Sequence, residues 1–312
     1  MKIKSSSRDW TKLSPYHRFF DFIDLEADRY QVLLELIGEL GLNSTVISIE
    51  GKRHFFIFPS GRAVKPSAGM SFPFRGQSPV ILAAHYDRVP GSPGANDNSA
   101  AVFQLLKAAQ KLGEQGTDYW IIIFTDKEEL RAGETIRDQG SFSMAEKLRD
   151  WGLGDARVYI FDACGTGDTF IVSSSTDYLL KNDERPGIRK AKQLLGDLRN
   201  HALDTARFLR LKRVLLIPTP FSDDAGFLRA GLPAQTITML PEREASAYAT
   251  ILRKRPEFAE SLINGTARNT ADRLLIPETW RLLNTPSDSY LCLTPEHYDS
   301  VVRYAAGLCA SY

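Results

Sequence analysis

The chain lacks most of the features that place a sequence in a special class at sight. It has only three cysteines in 312 residues, Cys164, Cys292 and Cys309, an odd number set far apart. That usage argues against a disulfide framework and fits buried thiols or a reducing compartment. No apolar run approaches the ~18 residues that read as a membrane span. The opening residues, MKIKSSSRDW, lack the apolar stretch of a secretory signal. Excess charge is missing too: 39 basic and 38 acidic residues give a formal charge of +1. Nothing in the overall balance draws the protein to nucleic acid or an anionic membrane. Internal repeats and low-complexity tracts are also absent. These absences leave the expectation of a soluble, cytoplasmic protein.

What is present is an alternation of strand-length apolar runs with helical patterns. Apolar residues between Tyr16 and Gly41 follow a helical spacing, as one amphipathic helix or a broken pair, with Gly41 at its C-cap. Thr45 to Ile49 and His54 to Phe58 read as a hairpin around Glu50-Gly-Lys-Arg, with His54 a half-buried strand residue. Pro66 to Ser78 is a Pro/Gly/Ser-rich loop. Val80 to Ala84, Tyr119 to Thr125 and Val158 to Phe161 are buried strands. Phe170 to Ser173, Val214 to Ile217 and Gln235 to Leu240 are further strands. Helices are expected over Ser99 to Gly113, Gly140 to Trp151, Arg189 to Leu211, Asp223 to Ala230 and Pro295 to Leu308. Residues 242 to 276 mix helix and loop. The alternation points to an α/β fold with a largely parallel sheet covered on both faces, in which sites form at the carboxyl ends of strands.

Three apolar strands end in polar groups. The first delivers His85 and Asp87, and a Gly/Pro-rich loop then brings Asp97 to the start of a helix. The second ends in Asp126, Glu128 and Glu129, and the third in Asp162. Singly, each has an ordinary explanation: Asp97 as an N-cap, the glutamates as a solvated turn, Asp162 as a turn starter, His85 as a satisfied core histidine. Cys164 reads most simply as a small buried residue. Together, imidazole and carboxylates at one end of a sheet are the donor mixture of a divalent cation such as zinc. One Asp can bridge two metals roughly 3.5 to 4 Å apart. Adjacent residues near a strand end point to different sides, so Glu128 and Glu129 can take different roles.

At this point the sequence resembles metallopeptidase family 28, the co-catalytic zinc exopeptidases that include leucine aminopeptidases, together with the related glutaminyl cyclases. The residues that carry the resemblance are His85-Tyr-Asp87, Gly94-Ala-Asn-Asp97-Asn-Ser-Ala, Glu128-Glu129, Asp162, Ser222-Asp-Asp224 before Gly231-Leu-Pro-Ala, and Asn284-Thr-Pro-Ser-Asp288. Their order and context match from about residue 79 to 290. The resemblance implies a three-layer α/β sandwich: a single domain over residues 1–312, with a mixed, mostly parallel sheet of about eight strands. Residues 180–213 are a candidate helical insertion or lid. It further implies one metal on His85, Asp97 and Asp162, and a second on Asp97, Glu129 and residue 284. Glu128 would be the general base, and Asp87 would hold the His85 ring.

The family has histidine where this chain has Asn284, and Ser-Asp-His where this chain ends in Asp224, so both positions enter the ligand set as departures. The leading expectation is a zinc-dependent aminopeptidase with one or two ions, acting on a peptide or small amide. A glutaminyl-cyclase-like transferase, with a single zinc on Asp97, Glu129 and Asn284, is the second reading. A non-catalytic binding module that keeps the fold is the third. The side-chain pocket is expected among residues 165 to 180 and 220 to 260.

Overall fold

The computed structural model describes residues 18–60, 78–182, 186–269 and 271–310. Most of the Pro66 to Ser78 loop and the start of the first helical stretch lie outside the described residues. Among the described residues the chain forms eight strands in one sheet. These are β1 (Ser44–Ile49), β2 (Lys52–Ile57), β3 (Val80–His85), β4 (Trp120–Thr125), β5 (Arg157–Phe161), β6 (Thr169–Ser173), β7 (Val214–Ile217) and β8 (Ala234–Leu240). The helices are α1 (Phe19–Ile23), α2 (Arg29–Glu39), α3 (Ala100–Glu114), α4 (Gly140–Asp150), α5 (Ser175–Leu180) and α6 (Pro186–Phe208), followed by α7 (Asp223–Arg229), α8 (Glu242–Lys254), α9 (Glu257–Ile263), α10 (Glu278–Leu282) and α11 (Tyr298–Cys309).

The sheet order is β1-β2-β4-β3-β5-β8-β6-β7. Strands β4, β3, β5 and β8 run parallel, β6 is antiparallel to β8, and the β1-β2 hairpin adds antiparallel pairs at the other side. The central strands are apolar throughout because both faces are covered. In β3, Val80, Leu82 and Ala84 enter the core shared with α2, α3 and α11, while Ile81 and Ala83 enter the core beneath α4 and α7. The same alternation splits Ile122 and Phe124 from Ile121 and Ile123 in β4, and Tyr159 and Phe161 from Val158 and Ile160 in β5. A third cluster on Tyr248, Phe258 and Trp280 packs α8, α9 and α10 around Leu240 and Ile171.

The structure corrects some local expectations and decides between alternatives in others. The hairpin turn is two residues, Glu50 and Gly51, both with positive φ, because a primed turn matches the twist of paired strands; the strand resumes at Lys52. His54 is fully buried, not half-buried, since its strand is covered by the chain that follows β4; its Nδ1 accepts the Asp126 amide. The 16–41 stretch is the broken pair, α1 and α2, with Asp28 capping α2 through the Gln31 amide. Residues 180–213 hold α6, whose Leu198, Ala202 and Ala206 belong to the main core.

The path of the chain creates a crevice. From β3 the crossover through α3 lies on one face, and from β4 the crossover through α4 lies on the other. Strand order therefore reverses around β3, a switch point that opens a cleft at the carboxyl ends of β4, β3 and β5. One buried arginine shapes that cleft. Arg29 occupies the apolar stripe of α2, in phase with Leu33, Leu36 and Ile37. It donates to the carbonyls of Tyr86 (2.9 Å), Asp87 (2.8 Å), Pro93 (3.1 Å) and Gly94 (3.1 Å), and to Ser99 Oγ. The loop from β3 to α3 is thus wound around one guanidinium. Burial lowers its pKa to about 9, so it remains charged at neutral pH.

Removing those donors leaves several buried carbonyls unsatisfied. Arg29→Met is expected to cost about 3 kcal/mol or more, read from urea denaturation. Arg18→Met, which breaks only the exposed pairs to Glu35 and Glu39, is expected to leave the midpoint nearly unchanged. Equal effects from the two substitutions would show that Arg29 does not hold the loop.

Candidate metal and active site

Strand ends and the arginine-wound loop bring the candidate residues together. His85 closes β3, and its ring is nearly inaccessible. Its Nε2 lies 3.0 Å from Asp97 Oδ1 and 3.8 Å from Asp162 Oδ1, and its Nδ1 lies 3.3 Å from Asp87 Oδ1. None of these approaches has hydrogen-bond geometry: both ring nitrogens and Asp162 Oδ1 are buried polar atoms without a hydrogen-bond partner. His85, Asp97 and Asp162 each offer a donor atom, all within 4.8 Å of one another. Donors held at about 2 Å from one cation are spaced in this way.

The position of Asp97 is fixed from three sides. Gly94 turns the loop at φ +60, where a Cβ would sit 2.6 Å from the Asp97 carbonyl oxygen. Asn96 and Asn98 anchor the loop to the end of β5: Asn98 Nδ2 donates to Phe161 O at 2.8 Å, and Asn96 Oδ1 accepts from the Gly165 amide at 2.8 Å. Asp288 reaches in from the distant 284–288 turn, its carboxylate accepting the amides of Asn96 (2.8 Å) and Asp97 (3.0 Å). Asp97 caps no helix. Ser99 is the N-cap of α3, without a side-chain cap bond.

Asp87 accepts the Glu128 amide with both carboxylate oxygens at 3.1 Å while facing His85. It couples the end of β3 to the loop after β4. That loop is braced from beneath by Gly140, where a Cβ would lie 1.8 Å from the Asp126 carbonyl oxygen. Glu128 and Glu129 line one cavity with Asp97, Asp162 and Asn284. Three non-glycine residues in the left-handed region border it: Lys127 (φ 62) before Glu128, Ala163 (φ 51) after Asp162, and Asn284 (φ 63). Strain of that kind collects where surrounding contacts impose it, commonly at functional sites.

The electrostatics reflect crowding of like charge. Burial, reinforced by Asp97 and Asp162, holds the Glu128 carboxyl well above its usual range. Burial likewise raises Asp97. Glu129 is exposed at the cavity mouth, yet partial desolvation and Asp97 still raise it. For Asp162, burial is outweighed by the adjacent His85, which pulls it down. Burial disfavours the His85 imidazolium, but Asp162, Asp87 and Asp97 together overcome it and raise the ring's pKa well above the ordinary value. A cation bound there takes the place of that proton.

Asp224 does not line the cavity, although it lies behind that wall, near enough to Asp162 for the two charges to interact. It is fully buried in the first turn of α7, and its carboxyl accepts the Ser222 amide at 3.0 Å. The cavity wall matches one of the two expected segments and misses the other: Pro220, Phe221 and, from β8, Thr236 and Thr238 lie within 220 to 260, no residue of 165 to 180 lines it, and Arg268, Arg273, Trp280, Arg281 and Asn284 add a side beyond both. Arg268, Arg273 and Arg281 on that wall were not foreseen, because the stretch that carries them holds no motif. Arg29 was detectable in principle, as a charge in phase with an apolar stripe.

Comparison with known proteins agrees with this geometry. The profile of Peptidase family M28 matches residues 70–268. No curated protein sequence matches the chain. Among solved structures, a leucine aminopeptidase precursor from Bacteroides thetaiotaomicron superposes with a TM-score of 0.62 at 14% identity, over 96% of this chain and 97% of that one. A Porphyromonas gingivalis glutaminyl cyclase superposes with 0.58 at 16% identity, over 94% and 97%. BSAP, a zinc aminopeptidase from Bacillus subtilis, gives 0.51 at 18% identity, over 82% of this chain and 48% of that one, so the chain spans about half of that protein. At such identities the likeness shows a shared fold.

Burial raises the Asp224 pKa to about 7, above the ~3.9 of an unfolded aspartate. The stability of its neutral form is therefore complete below about pH 4 and lost as pH rises through 7. Asp224→Asn stays neutral, so in chelator-stripped protein it is expected to match the parent near pH 4 and exceed it at pH 8, by on the order of 1 kcal/mol or more. A difference independent of pH, in urea midpoints taken across that range, would overturn this assignment.

Proposed function

The chain belongs to peptidase family M28, and within it we propose a metal-dependent hydrolase of aminopeptidase type that removes the N-terminal residue from a peptide or related small amide. The observation that carries this reading is the His85, Asp97 and Asp162 donor set, with buried unpartnered atoms, on a cavity shared with Glu128. Orphaned buried polar atoms are costly, and a cation satisfies them. These three residues would hold one zinc. Asp97, Glu129 and the amide oxygen of Asn284 would hold a second, more weakly.

When bound, the cation supplies Lewis acidity toward the scissile carbonyl and the attacking water. Glu128 takes the proton of that water and returns it to the leaving amine; its desolvated carboxyl is a stronger base than an exposed glutamate. Asp87 orients both partners, facing the His85 ring and fixing the Glu128 backbone. The likeness to a glutaminyl cyclase favours a second reading, cyclisation of an N-terminal glutamine using Asp97, Glu129 and Asn284. Loss of ammonia from an N-terminal Gln peptide, seen by mass spectrometry, would select it.

Protein purified without added metal is expected to contain zinc and to hydrolyse aminoacyl anilides. Glu128→Gln should lower kcat by about 10²- to 10⁴-fold with metal content unchanged. Bound metal without any Glu128-dependent hydrolysis would sink the peptidase reading. Asn284→His is expected to raise occupancy of the second metal, counted by elemental analysis. Unchanged stoichiometry would mean that residue 284 is not a ligand.

A further inference from the structure

The cavity holds positive charge as well as negative. Arg268, Arg273 and Arg281 line it together with Glu128 and Asp162, on the wall formed between α9 and the 284–288 turn. Arginines elsewhere on the surface are engaged: Arg199 with Asp177, Arg213 with Asp168 and Glu242, Arg255 with Glu257 and Asp272. The three in the cavity make no side-chain hydrogen bond or ion pair among the described residues. Arg281 Nε is buried and unpartnered. A guanidinium so placed lacks an acceptor, and the matching acceptor is a planar carboxylate.

The nearby acids do not fill that role. Arg268 is near enough to Glu129 for its charge to act on that carboxyl, but in the reading above Glu129, Asp97 and Asp162 are taken up by cations and Glu128 by the water, which leaves the guanidiniums without a hydrogen-bonded carboxylate. Its size narrows the ligand. At about 200 Å³ it falls below the ~300 to 1,000 Å³ of most small-molecule sites, so it suits one or two residues of a peptide. A dipeptide brings its terminal carboxylate within one residue of the scissile bond, whereas a longer neutral peptide brings none.

We propose that Arg268, Arg273 and Arg281 form a carboxylate subsite, so that the substrate is a very short peptide with a carboxylate next to the scissile bond. This deepens the hydrolase reading and rests on the cavity being the substrate site. The carboxylate comes either from the C-terminus of a dipeptide or from an acidic side chain.

Binding separates the subsite from turnover. Zinc-loaded Glu128→Gln protein is titrated calorimetrically with Leu-Ala, with Leu-Ala amide and with Glu-Ala amide. At least one carboxylate ligand is expected to bind about 10- to 100-fold more tightly than Leu-Ala amide, and which one identifies the source. The preference should vanish when Arg281→Gln is added. Adding Arg268→Gln instead, at an exposed position, should reduce it and guards against misfolding of the first variant. Equal affinity for all three ligands, no binding of any, or a preference untouched by both arginine substitutions overturns the subsite. If the preference is present but the parent enzyme hydrolyses nothing, the subsite stands and the peptidase reading fails. If hydrolysis is found without preference, the reverse holds.

Discussion

Asp87, Asp97 and Asp162 crowd around a single imidazole, with Glu128 in the adjoining cavity, and the rest of the structure accommodates that crowding. Like charges so close cannot all ionise without a compensating cation, which is why burial drives Glu128 and Asp97 upward while His85 retains a proton well above its ordinary range. An arrangement so unfavourable by itself persists only because the backbone around it is held elsewhere. The same crowding makes the donor set receptive to a divalent ion.

The restraints come from far apart in sequence. Arg29 gathers the carbonyls of the loop after β3. Asn96 and Asn98 tie that loop to the end of β5, and Asp288 grips it from the last quarter of the chain. Each contact satisfies buried backbone groups as it positions Asp97. The parallel order β4-β3-β5 supplies the remaining constraint by ending three strands at a common level.

The sheet and the strand-end residues were legible in the sequence because both are local signals. An unbroken apolar run marks a strand covered on two faces, and a polar residue at its end is placed by the strand itself. His85, Glu128 and Asp162 are therefore assignable to one end of the sheet from the sequence alone. The two-residue turn at Glu50-Gly51, the full burial of His54 and the role of Arg29 were not legible, because each depends on what packs against it. Asp224 shows the same limit: the motif places it near the site, but its partner is the Ser222 amide and its neighbourhood is closed.

The cavity wall was the least legible part, for a reason that bears on specificity. Residues 242 to 276 form α8, α9 and short turns whose packing on Tyr248 and Trp280 is set by tertiary contact, with weak local signals. Ligands to a cation must be of few types at fixed positions, so they leave a pattern in sequence. A wall that selects substrate has to supply only charge and shape, which arginines on irregular turns provide without one. The strand ends thus carry the imidazole and carboxylates that a cation would need, and the segment from Arg268 to Asn284 carries the guanidiniums and the amide that line the cavity beside them.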